Sequence, residues 1–175
     1  MSAREAVQRI REAADETAQQ YAGEAERPLG AFVGLLSTYV AAVGAIAGLA
    51  RFTDRAIPTP TPWDVALCAG ATHRLSRLVT KDAVTSPLRA PFTRYEGTSG
   101  PSELTEEVRG SGARKAMGEA LTCPFCVGLW ISTGLAAGLV FAPSATRLSA
   151  GTLTALALSD LLHFARDRAQ RAAEE

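Results

Sequence analysis

A chain of 175 residues with 18 basic and 18 acidic side chains has no overall charge bias, which argues against nucleic acid or an acidic substrate as its partner. Those charges are segregated into residues 1–28, 80–120 and 166–175, and the long stretches between carry almost none. A bilayer imposes such a pattern because charge inside it is expensive, and three cysteines are too few for the disulfide framework of a small secreted domain.

Residues 1–28 read as a cytoplasmic amphipathic helix. Ala3, Val7, Ile10, Ala14 and Ala18 recur at helical spacing, and Glu5–Arg9 is an i,i+4 pair. A cleavable leader would be shorter and begin basic. Residues 29–50 hold 22 residues without a charge. As a helix they cover about 33 Å, enough for a hydrocarbon core of about 30 Å. Gly30/Gly34 and Gly44/Gly48 form two small-xxx-small steps, which let helices pack closely in lipid.

Pro58, Pro60 and Pro62 enforce an extended approach to a second apolar segment, Trp63–Val79. Its second half carries His73, Arg74 and Arg77, so it either spans with its basic end snorkelling or is a re-entrant or interfacial helix. Residues 80–120 read as a flexible loop rich in Gly, Ser, Glu and Arg, including Glu96-Gly97-Thr98-Ser99-Gly100-Pro101 and Arg109-Gly110-Ser111-Gly112. Neither glycine cluster has phosphate-loop spacing, which excludes nucleotide binding there. Two further spans follow, Leu121–Phe141 and Leu148–Ala165, joined by the short link Pro143–Arg147 as an antiparallel hairpin. Residues 166–175 are a charged tail.

The fold class expected is therefore an all-α membrane bundle of four helices, with three spans plus one re-entrant or interfacial helix as the alternative. Four spans with the N-terminus inside place 13 Lys/Arg in inner segments and only Arg51, Arg55 and Arg147 in outer ones. The positive-inside rule prefers that arrangement, with both termini cytoplasmic.

Two groups of residues carry chemistry. Cys123-Pro124-Phe125-Cys126 stands where the loop meets a helix. A helix N-terminus stabilises a thiolate, and proline suits the first helical turn. Three readings of the pair stay open. The thiols are structural; or Cys123 attacks and Cys126 resolves in disulfide chemistry; or both hold zinc, with His73 and His163 completing the ligand set. Cys68 reads as a small packing residue. In the second group, Arg74 and Arg77 share a helix face, and Asp160 lies at matching depth on the last span. An intramembrane Asp and Arg at one depth are expected to pair, either fixing helix register or lining a polar path.

Thr72-His73-Arg74-Leu75-Ser76-Arg77-Leu78-Val79, Lys81-Asp82, Pro87-Leu88-Arg89-Ala90-Pro91-Phe92 and Leu121-Thr122-Cys123-Pro124-Phe125-Cys126-Val127-Gly128-Leu129-Trp130 together resemble the DUF1360 family. That family consists of small bacterial membrane proteins of unknown function, including a sporulation-associated member. Its pattern is an R-x-x-R-L helix, a downstream acid, an arginine before Pro-Phe, and C-P-x-C-x-G-x-W. Arg74, Arg77, Asp82, Arg89, Cys123, Cys126, Gly128 and Trp130 stand at those positions. The resemblance covers roughly residues 63–165 and implies a membrane location but no reaction; the first span and the charged N-terminus look like additions.

The function expected is a non-enzymatic membrane accessory or assembly protein, whose arginine helix and CPFC turn face the cytoplasm and meet a protein partner or a second copy. A thiol-redox protein and a metal-binding protein are the alternatives.

Overall fold

The computed structural model describes residues 2–23, 27–100 and 103–174. The helices are α1 (Ala3–Ala22), α2 (Leu29–Phe52), α3 (Pro62–Thr80), the short α4 (Ser86–Arg89), α5 (Gly112–Thr122), α6 (Pro124–Phe141) and α7 (Pro143–Glu174). Between α4 and α5 lies an antiparallel hairpin of β1 (Thr93–Gly100) and β2 (Glu103–Val108).

Local chemistry accounts for the helix starts. Ser2 and Glu5 form a reciprocal capping box at α1, and Thr61 and Asp64 form another at α3 with Pro62 in the first turn. At α6 the cap is a thiol: Cys126 N–H donates to Cys123 Sγ at 3.3 Å, and Pro124 follows in the first turn. Cys123 has extended backbone angles, so the span expected from Leu121 is broken there into α5 and α6.

α3, α6 and α7 form the centre of the bundle. Asp64 pairs with Arg147 at one end of α3, Thr154 Oγ1 donates to the Leu67 carbonyl at 2.8 Å further along, and Arg74 faces Asp160 beyond that. These three points show α3 and α7 packed side by side and parallel, while α6 runs against them in the opposite sense with Gly128 against Thr72. The end holding Pro58, Asp64 and Arg147 is called here the proline end; the end holding the β-hairpin and Cys123 is the hairpin end. Close approach of α3 and α7 depends on Gly70, where a Cβ would stand 2.6 Å from Thr154. α2 lies at the edge, held by Tyr39 Oη against Thr133 Oγ1 (2.9 Å), an edge-on Tyr39–Trp130 contact with ring centroids 5.3 Å apart, and an Arg27–Glu119 ion pair at 3.1 Å.

Burial is inverted relative to a water-soluble protein. Among the described residues the buried apolar ones are all alanines (Ala50, Ala71, Ala116 and Ala150), and the largest fully buried side chain is Arg89. Large apolar side chains such as Leu36, Val40, Leu158 and Leu161 point outward. Water would not tolerate so large an apolar exterior without covering it; hydrocarbon does. α2, α6 and α7 are long and apolar enough to cross a membrane.

Two expectations need correction. The chain is not all-α, because the hairpin adds a two-stranded sheet. Residues 80–120 are also not a bare loop: they contain a 3-10 turn (Ala83–Thr85), α4, the hairpin and α5. β-formers at Thr93, Tyr95, Thr105 and Val108 supply the strands, and Gly110, at φ 89°, supplies the turn out of β2. Pro101 of the expected loop lies outside the described residues. The charged tail continues α7 as helix rather than leaving it.

Candidate functional site

The residues singled out on α3 and after it converge at the hairpin end. Arg89 is 0 % exposed and spends four of its five N–H donors on the chain itself. Its Nε donates to Glu106 Oε2 (2.5 Å), Nη1 to the Val79 carbonyl (2.7 Å) and Thr85 Oγ1 (2.8 Å), and Nη2 to the Asp82 carbonyl (3.1 Å). Those acceptors come from the end of α3, the turn after it and β2, so one side chain ties three elements together. Buried charge of this kind is tolerable only when paired and fully hydrogen-bonded.

Arg77 forms an ion pair with Glu103, at the start of β2. Arg74 donates through Nη1 and Nη2 to Asp82 Oδ2 at 3.0 and 3.1 Å. Its Nε also lies 3.1 Å from Asp160 Oδ2, an ion-pair distance that lacks the alignment of a hydrogen bond. Backbone contacts complete the clasp: Leu104 N–H donates to the Lys81 carbonyl at 3.0 Å, and Asp82 bridges to Glu103. α5 packs beneath the hairpin, with Gly118 where a Cβ would meet Val108 at 2.6 Å.

Glu103 and Glu106 were not anticipated from the sequence, although a charge tally held a signal. Arg74, Arg77 and Arg89 outnumber Asp82 and Asp160, so a buried cation needed another acid. Asp64 was also missed. It is 3 % exposed and takes bonds from Arg147 Nε (2.7 Å) and Nη2 (3.2 Å). Thr-Pro-Trp-Asp at 61–64 carries the capping-box spacing that marks it.

Cys123 and Cys126 are both free thiols at the hairpin end. Burial raises the Cys123 thiol, but three hydrogen bonds outweigh it: from the Cys126 thiol and from the N–H groups of Cys126 and Phe125. With the positive charge of Lys81, they hold Cys123 below the usual thiol value. Phe125, between the cysteines, is 90 % exposed. His73 lines a cleft of about 440 Å³ with Thr72, Arg77 and Phe125, and His163 lies exposed on α7. Among the described residues no three His, Cys, Asp or Glu side chains converge as a metal site. Cys68 lines a cleft nearer the proline end with Asp64 and Ala136.

Comparison with known proteins bears on the same residues. The chain is 33 % identical over 69 residues to the sporulation protein YjcA of Bacillus subtilis (strain 168), a match covering 38 % of this chain and 58 % of that protein. The chain thus spans less than two thirds of that relative's length. No solved structure matches. The profile described as "Protein of unknown function (DUF1360)" matches residues 67–166, more than half of the chain and the stretch that contains the clasp, the cysteine pair and Asp160. The chain belongs to the DUF1360 family.

Proposed function

We propose that the chain is a four-span protein of the bacterial cell membrane, with both termini and the hairpin end in the cytoplasm, acting as a non-enzymatic accessory platform that presents the β-hairpin to a protein partner. The observation that carries this reading is the state of Arg89. Four of its five N–H donors go to the chain's own groups and the side chain is fully buried, which keeps it from a substrate and holds the hairpin in one position. A fixed, charged hairpin at a membrane surface suits docking rather than turnover.

Support for α3 as the fourth span comes from its neighbours. It lies along α6 and α7 from Asp64 to Arg74, and its charged side chains Asp64 and Arg74 face partners on α7 rather than lipid. The distribution of Lys and Arg supports the orientation. The relative's name attaches sporulation to that protein.

The test is site-specific photo-crosslinking in cells. A crosslinker at Tyr95, exposed on β1, is expected to give a discrete protein adduct that Arg89→Met abolishes, while one at Leu36 on α2 does not give that adduct. No adduct from β1 positions in a correctly inserted protein defeats the platform reading.

A second reading is thiol-disulfide chemistry, favoured by the lowered Cys123 thiol three residues from Cys126. It predicts that oxidised glutathione converts the reduced pair to an internal disulfide, releasing two molecules of reduced glutathione. Absence of that bond after prolonged incubation removes it.

A further inference from the structure

At the proline end an apolar groove of about 370 Å³ lies between α2 and α6. Val43 and Ala47 of α2 form one wall, Ala136 and Val140 of α6 the other, and Ile57 and Pro58 of the α2–α3 link line its polar end. The Asp64–Arg147 pair stands at that same end. We propose that this groove holds the acyl chain of one anionic phospholipid of the outer leaflet, with its phosphate on Arg147. The proposal rests on the four-span reading above.

Three observations single out this occupant. First, the groove has the polarity of a lipid. Its polar mouth lies where the helices begin and end, and its apolar depth runs about 10 Å from Val140 to Thr133, toward the middle of the bundle. At the deep end the Thr133 hydroxyl is already bonded to Tyr39, so the floor offers no demand for water. Second, Arg147 is half used. Its Nε and Nη2 are committed to Asp64, whereas Nη1 has no hydrogen-bond partner among the described residues and the side chain is 48 % exposed. A guanidinium oriented by a carboxylate on one edge presents its other edge to a phosphate oxygen. Third, charge at this end is complementary. Arg51, Arg55 and Arg147 stand against Asp54 and Asp64, a net of +1 that favours an anionic headgroup over a zwitterionic one.

The experiment is native mass spectrometry of the full chain in detergent, supplied with phosphatidylglycerol or phosphatidylcholine. The expected result is one retained lipid per chain, with phosphatidylglycerol preferred about fivefold, the effect of one net positive charge on an anionic headgroup. Ala136→Trp, which fills the groove from α6, is expected to abolish retention while the protein stays monodisperse. Arg147→Lys keeps the net charge and a cation for Asp64 but loses the second edge for the phosphate, and is expected to weaken retention of both lipids while leaving the headgroup preference in place. Equal retention of both lipids, retention unaffected by Ala136→Trp, or no retained lipid overturns the proposal. Alkaline carbonate extraction of the same cell membranes separates this from failure of the underlying reading. A chain that resists extraction yet holds no lipid refutes the lipid site alone; a chain released by carbonate refutes the membrane topology itself.

Discussion

Replacing Arg89 by methionine removes the clasp's centre while keeping a side chain of similar length and apolar character. The substitution withdraws four donations at once, to Glu106, Thr85 and the carbonyls of Val79 and Asp82. It also strands Glu106, whose side chain is 6 % exposed. Breaking a buried pair by deleting one partner costs about 3–5 kcal/mol. The loss falls on docking of the hairpin, since α2, α6 and α7 make no use of Arg89. At 1.4 kcal/mol per tenfold, local opening of the hairpin rises by roughly a hundredfold to several thousandfold. Amide hydrogen exchange in detergent reads this directly. The amide of Leu104, bonded to Lys81, is expected to lose protection by that factor, while amides within α6 are unchanged. Adding Glu106→Leu to Arg89→Met removes the stranded charge and is expected to recover much of the protection, because a hydrophobic replacement of a buried ion pair is close to neutral. Unchanged exchange at Leu104 in the single variant, or a double variant as exposed as the sum of the two singles, would refute the clasp as the element that holds the hairpin.

Other expectations are independent of the clasp. Gly70→Val drives a branched side chain into Thr154 and is expected to lower stability by about 1–3 kcal/mol in thermal unfolding, with Thr154→Ala restoring part of it; a neutral Gly70→Val excludes close α3–α7 contact at that point. Tyr39→Phe removes one hydrogen bond to Thr133 but keeps the ring against Trp130, so a loss of about 0.6 kcal/mol is expected, well below that of Tyr39→Ala. The thiolate is the reactive form of Cys123, and its titration is shifted down. Its alkylation rate should therefore rise with pH to a midpoint below about 8.5 and fall away only on further acidification. A midpoint equal to that of the unfolded chain removes the stabilised thiolate.

The apolar helices were legible because a bilayer writes its thickness into the sequence. An uncharged run beginning at Leu29 and another ending at Phe141 need only counting. The Arg74–Asp160 juxtaposition was also accessible, since helix rise converts residue number into depth. Cys123 as a helix start followed from proline at the next position, but the break it makes between α5 and α6 did not, because apolar residues continue across it. The hairpin was hidden for a physical reason. Its alternation is interrupted by register shifts between Tyr95 and Gly97 and between Thr98 and Gly100, so the period of two is lost where it would be read. What fixes it is non-local. Glu106 is 17 residues from Arg89, and neither local propensity nor composition records that pairing. Shared depth does not bring side chains to one side of a bundle: His73 opens into a cleft beside α6, and His163 lies exposed on α7.

The Asp64–Arg147 pair has a consequence for biogenesis. Asp64 lies in the first turn of α3, and the residue that neutralises it is 83 positions later in the chain. At a synthesis rate of about 5–20 residues per second, Arg147 emerges roughly 4–17 s after Asp64. The partner of Arg74 on α7, Asp160, comes later still. α3 therefore has no lateral partners when it leaves the ribosome, and it carries more charge than the helices on either side of it in the sequence. Its stable place is completed only when α6 and α7 arrive, so synthesis up to Phe141 produces a bundle whose central helix is still unsealed. A chain truncated after α6 is the form that quality-control proteases should recognise first.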